Sequence, residues 1–199
     1  MNKLIIIILI CWAAGQIFAN PMLQFGVGLD VNGKQTFSND ALGNDTDVET
    51  GASLYAELLS SQKALTGSML FGMGLEYQIP RELKGLNVDA HKRQYSFMPV
   101  YLTLKYIILP VPISPEILVQ AGYNLPVTHK NYDTNTTEGL KVSGGLYWGM
   151  GVGLDIKPIV LQVLYQSSQS NFKWNDIDSE NLKSTNTNSQ ISLQIGIRI

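Results

Sequence analysis

Eight stretches of this chain repeat with a period of two, apolar residues alternating with small or polar ones. A strand points successive side chains to opposite faces, so each stretch is a ribbon with one oily and one wet face. The closing "ISLQIGIRI" is the plainest case: Ile191, Leu193, Ile195, Ile197 and Ile199 on one face, Ser192, Gln194, Gly196 and Arg198 on the other. The other seven are "MLQFGVGLDV", "ASLYAELLS", "MLFGMGLEYQ", "SFMPVYLTLKY", "EILVQAGYNL", "GLYWGMGVGLD" and "IVLQVLYQS". No window keeps a helical period. No stretch of the mature chain reaches the roughly 18 consecutive apolar residues of a spanning helix.

The connections alternate in length. "QKALTG", "ILPVPISP" and "IKP" are short; Lys34 to Thr50, Ile79 to Lys92, Pro126 to Lys141 and Asn171 to Asn188 are long and polar. An even number of strands, with short turns at one end and long loops at the other, predicts an all-β, eight-stranded antiparallel up-and-down transmembrane β-barrel. Both termini of the barrel then lie at the short-turn, periplasmic end. A soluble lipocalin-like barrel with oil inside has the same strand count. Charge decides between them. The wet faces carry few charges and are mostly Gly, Gln, Tyr, Ser and Thr. Only 15% of the chain is charged, whereas a water-exposed surface carries roughly 25–35%. That composition suits a crowded polar lumen, with the oily face toward lipid. Tyr77, Tyr106, Tyr123 and Tyr165 fall near the ends of oily faces, where aromatic girdles sit.

Residues 1–19 read as a separate object: Lys3, an apolar run from Leu4 to Ala14, and Ala19 as a small residue for cleavage. This is the pattern of a secretory signal peptide, leaving a barrel domain over 20–199. The one cysteine, Cys11, falls inside the signal and follows Ile10 rather than a small residue, so it reads as packing, not as a lipidation site. A net charge of -2 gives no footprint for nucleic acid.

The runs "FMPVYLTLKY", "PEILVQAGYNL", "GLYWGMGVGLD" and "LQVLYQ", with the closing strand, resemble the small eight-stranded outer-membrane β-barrel superfamily: the OmpA transmembrane domain, OmpX and OmpW-like porin-family barrels. The resemblance is a strand pattern over the whole mature chain rather than a motif. It implies location in the outer membrane of a diderm (Gram-negative) bacterium. The partners it implies are membrane lipids and lipopolysaccharide, periplasmic chaperones and the barrel-assembly machinery. Such barrels usually end on an aromatic residue; this chain ends on Ile199, and nothing after that strand remains for a peptidoglycan-binding domain.

Eight strands enclose an interior that side chains can fill, which argues against a diffusion pore. Inward glycines on the first and third strands flank the second, whose Tyr55 and Glu57 point inward. Small-beside-large packing of the lumen is the simpler reading, a cavity for a small hydrophobic ligand the other. Glu57, Lys105, Asp155 and Arg198 are expected in the lumen, the last three near the periplasmic end. Buried charges must pair, so these four should form a salt-bridged plug. Phe172 and Trp174 in "NFKWNDIDSEN" mark either a loop contact surface or a continuation of the hairpin above the membrane. His91 and His129 lie in or beside long loops. Ser96 and Ser167 are conceivable nucleophiles for a lipid-modifying enzyme, but no spacing selects them. In "NDTDVET", counting from Asp45, the sixth position holds Thr50 where a calcium loop needs Gly, so no metal and no cofactor is expected. The resulting expectation is a non-enzymatic outer-membrane protein serving envelope integrity, surface contact or binding of a small hydrophobic molecule. A lipid-modifying enzyme and a soluble periplasmic ligand-binding barrel are the alternatives.

Overall fold

The computed structural model describes residues 21–38, 46–80, 94–109, 111–130, 140–174 and 182–199. The expected signal peptide and His91 lie outside these residues. Eight strands form the barrel: β1 (Pro21–Phe37), β3 (Gly51–Lys63), β4 (Ser68–Gln78), β5 (Gln94–Ile107), β6 (Ser114–Lys130), β7 (Leu140–Ile156), β8 (Ile159–Trp174) and β9 (Leu182–Arg198). Each pairs antiparallel with its neighbour in sequence, and β1 pairs with β9 from Gln24↔Arg198 upward, which closes the sheet. Closure leaves no strand edge in the hydrocarbon, which is the condition for a sheet to cross a bilayer.

The alternation read from sequence sets the two faces. Leu23, Phe25, Val27 and Leu29 on β1, Leu102 and Leu104 on β5, and Leu161, Val163 and Tyr165 on β8 are all exposed on the outside. The intervening Gln24, Asp30, Tyr101, Thr103, Gln162 and Gln166 are buried inside. A water-soluble monomer rarely exposes a contiguous apolar patch beyond a few hundred Å². This one forms a belt around the whole barrel, so the belt faces lipid. On β6 it runs from Ile117 to Val127. Ten residues at roughly 3.3 Å each, tilted by about 40°, span about 25 Å, the height of an outer-membrane apolar band.

The short turns lie at one end, together with Pro21 and Ile199. There, Leu23 and Ile199 exchange backbone hydrogen bonds of 2.7 and 2.8 Å. The β3–β4 turn is closed by Ala64 N–H on the Gly67 carbonyl at 3.0 Å. A side chain at position 67 would run into the Ile107 carbonyl, so the turn requires glycine there. Between β5 and β6 the Ser114 hydroxyl bonds the Leu109 and Val111 carbonyls and accepts from Val111 N–H.

The opposite end differs from the expectation. Much of what reads as long polar loop is strand. β6 continues to Lys130, β8 to Trp174, and β9 begins at Leu182. A short strand, β2 (Thr46–Val48), lies inside the segment read as a long polar connection and pairs with β1 at Gly33–Gln35. The physical reason is that the period of two marks a strand only where its faces meet different solvents. Above the membrane both faces are wet, the hydrophobic alternation ends, and the backbone ladder continues. The crossing from one regime to the other on β1 is a bulge. The register against β9 shifts by one residue between Val31 and Lys34, and Asn32 sits at φ 51°. Asn tolerates this left-handed conformation better than most residues.

Candidate functional site

The lumen is filled in layers. Nearest the periplasmic end, Leu59, Leu70 and Ile107 form a buried apolar floor with Met22 packed against it. Leu118, Val160 and Leu164 are also buried inward, so the wet faces of the sequence are not uniformly wet.

Above the floor lies a charge network. Lys105 Nζ is 2.5 Å from Glu57 Oε2, both fully buried. Arg198 holds two carboxylates, with Nη1 on Asp155 Oδ2 and Nη2 on Glu116 Oε2, each at 2.9 Å. Gln24 joins the two halves. Its Oε1 accepts from Lys105 Nζ at 3.2 Å and from Arg198 Nε at 2.9 Å, and its Nε2 donates to Tyr55 OH at 3.2 Å. Gln162 bridges back from Glu116 to Gln24, and Gln120 donates to Glu57 Oε1 at 3.3 Å. The four residues singled out in the sequence thus stand in one network. Glu116, Gln24, Gln120 and Gln162 belong to it as well and were not singled out. Glu116 had a signal, a charge at inward parity with Gly153 opposite; the glutamines share inward parity with many other residues, and nothing in the sequence singles them out.

A layer of tyrosines covers the network. Tyr101 and Tyr147 lie with ring centroids 5.4 Å apart. Tyr147 OH donates to Gln120 Oε1 at 2.7 Å and Tyr101 OH to Glu57 Oε1 at 3.4 Å. Tyr55 lies over Gly26 and Gly196, Tyr101 over Gly74; a Cβ at Gly74 would sit 2.7 Å from the Tyr101 ring. Each large inward side chain occupies the space a neighbouring glycine leaves. Higher still, Glu76 accepts from Gln166 at 2.8 Å and Gln194 at 3.1 Å, while Asp30 accepts from Ser192 and Ser53. Chemically, this interior holds its charges in place by ion pairs and hydrogen bonds.

Phe172 and Trp174 are in strand, not loop. Phe172 pairs with Val142 and Ser184, Trp174 with Leu140 and Leu182. The Ser96 hydroxyl is engaged with the Gln78 carbonyl at 2.8 Å, Ser167 is buried, and His129 lies within β6. No group of three His, Cys, Asp or Glu among the described residues stands together as a metal set.

No protein-family model matches the chain, and no curated protein matches it. Solved structures do. Outer membrane protein AlkL, determined in DMPC lipid bilayers, is 13% identical, covers 90% of this chain and 89% of its own, and superposes with a TM-score of 0.52. Ail, the attachment invasion locus protein of Yersinia pestis, is 11% identical over 90% of this chain and 97% of its own, with a TM-score of 0.44. Neisserial surface protein A is 11% identical over 89% and 96%, with a TM-score of 0.42. What the chain shares with AlkL is the fold, that of an outer-membrane β-barrel.

Proposed function

We propose that this protein, an integral outer-membrane β-barrel, is non-enzymatic and acts through its extracellular strand extension, in surface contact or envelope integrity. The filled lumen carries the reading. A floor of Leu59, Leu70 and Ile107, a network around Gln24, and a lid of Tyr55, Tyr101 and Tyr147 occupy the interior in succession. A barrel closed in this way is a support, and what it supports is the part outside the membrane. Binding of a small hydrophobic molecule is the second reading. It is favoured by the apolar rows Val142–Phe172 and Leu140–Trp174–Leu182, which pair in register across β7, β8 and β9 in the strand extension.

The test is a strain lacking the protein, complemented with the full chain, and the purified barrel in planar bilayers. The proposal expects no steady ion conductance from the pure barrel, and raised antibiotic or detergent sensitivity in the deletion strain. Loss of hydrophobic-dye uptake on deletion would favour the second reading. An acyl change in lipopolysaccharide incubated with the pure barrel would replace both with an enzyme.

A further inference from the structure

Above the tyrosines, the inner face of β8 and β9 is built of amide and hydroxyl rows. In the lowest, Gln190 Nε2 donates to Gln166 Oε1 at 3.0 Å, and Gln166 donates in turn to Glu76. The next two rows, Ser168–Asn188 and Ser170–Asn186, are not closed in this way. Asn188 Oδ1 and Asn186 Oδ1 are both buried without a donor. A third such oxygen, Asn124 Oδ1, comes to the same place from β6. The Asn124 amide reaches across β7 and donates at 3.3 Å to the carbonyl of Gln169, the residue between Ser168 and Ser170. β7 permits the reach because Gly144 and Gly145 carry no side chain there; a Cβ at Gly145 would press to 2.9 Å on that same carbonyl. The bond also fixes which way the Asn124 amide points, since the reverse would set two oxygens together. Asn124 and Asn186 are 1% and 3% exposed.

A buried acceptor without a donor is costly, and folded chains leave few. Three of them gathered about one pair of serines mark a site. All three are acceptors, and among the described residues no buried side-chain nitrogen lacks a partner. A ligand that meets them supplies hydrogens and accepts none. That excludes phosphate and carboxylate, and disfavours sugar, whose hydroxyls accept as well as donate. An ammonium group has three donors and no acceptor. Its charge suits Glu76 and Asp30, which are buried and face the lumen below these rows. Asn186 and Asn188 stand two residues apart on one face, about 7 Å at roughly 3.3 Å per residue, so donors are wanted at two heights. Phe97, buried on β5 opposite Pro126, gives an apolar surface beside Asn124 for a carbon stem between them.

We infer that the upper lumen binds a short aliphatic diamine in its doubly protonated form. One ammonium group lies among Asn124, Asn188 and the serine hydroxyls, the other at Asn186. The site stands apart from the surface-contact reading: it uses the inner face of the barrel, and the charge network below the tyrosines stays closed. Its test reads amine affinity rather than antibiotic sensitivity or conductance, so the two can fail separately.

The experiment is titration calorimetry on the full barrel in phosphatidylcholine nanodiscs, with 1,4-diaminobutane as the probe. Butane-1,4-diol, n-butylamine and calcium ion are the comparisons. The diamine should bind saturably, one per barrel, butylamine more weakly, and the diol not at all. Asn124→Leu and Asn186→Leu each remove one acceptor and should weaken diamine binding by at least about tenfold, the worth of a hydrogen bond to a charged group. Without diamine, Asn186→Leu should unfold in denaturant at the wild-type midpoint or above it, because an apolar side chain of similar size replaces an acceptor that had no donor. An asparagine with only a structural role would do the reverse, so a lowered midpoint overturns the proposal. No saturable heat with the diamine, equal affinity of variants and wild type, or binding of the diol or of calcium as tight as that of the diamine also overturns it. Asn186→Asp keeps the size and adds a carboxylate. It should bind the diamine about tenfold more tightly, and unchanged or weaker binding there has the same force.

Discussion

Arg198 is the residue on which most of the lumen depends. It satisfies Asp155 and Glu116 and shares the Gln24 oxygen with Lys105. Replacing it with alanine leaves two buried carboxylates without their cation. The expected cost is about 3–5 kcal/mol, because the loss is the desolvation of the stranded charges rather than the modest net worth of the pair. Urea unfolding of the Arg198→Ala barrel in detergent, followed by the gel shift between folded and unfolded forms, measures it; an unchanged midpoint would show that the guanidinium is solvated. The Lys105→Met, Glu57→Met double variant should be closer to wild type than either single change, since removing both charges of a buried pair is often near neutral. The charges of this plug were legible in the sequence, because Arg198, Lys105, Asp155 and Glu57 stand out among glycines and glutamines. Gln24 was not. A buried amide that bridges two cations looks, in a sequence, like any other glutamine at inward parity.

At the scale of an element, β7 separates the two faces most clearly. Met150 is 52% exposed on the outside. An arginine there, near mid-membrane, should cost about 2–4 kcal/mol and impair folding into bilayers. The inward glycines beside it are not equivalent. A Cβ at Gly149 meets chiefly the end of the Gln120 side chain at 3.0 Å, whereas one at Gly151 would lie 2.3 Å from the Val163 carbonyl. Gly149→Ser should therefore fold nearly as wild type and Gly151→Ser should not, as judged by the heat-modifiable gel shift in lipid. Equal behaviour of the two would mean that β7 sits differently against β8. The strand extensions obey other rules. They were illegible because a ladder wet on both sides leaves no hydrophobic period: "STNTNSQ" reads as loop, yet it pairs residue for residue with β8. Their stability rests on backbone bonds and contacts such as Thr185 on Asn171. Asn171→Ala should cost only about 0.5–1.5 kcal/mol, read as loss of hydrogen-exchange protection in the extension while the membrane-embedded ladder stays protected.

For the whole molecule, the sequence settled the architecture because two independent patterns agreed. The hydrophobic period placed eight strands, and the alternation of short and long connections fixed their direction. A one-residue slip in any strand would exchange its faces, so the register is held by every side chain at once. Function was less legible for the same reason: the features that specify the barrel are generic to its solvent, and the extension through which we propose the protein acts is where that pattern stops. The central claim is that the oily face looks outward to lipid and the polar face inward. Cys11 is the one cysteine of the sequence, so with Cys11→Ser single cysteines can be placed without background. A nitroxide walked along β8 from Leu161 to Gln166 in bilayers reads the orientation directly. Collision with lipid-soluble oxygen should be high at Leu161, Val163 and Tyr165 and low at Gln162, Leu164 and Gln166. The reverse pattern, or uniform access to a water-soluble relaxant, would contradict the account and put the oil inside.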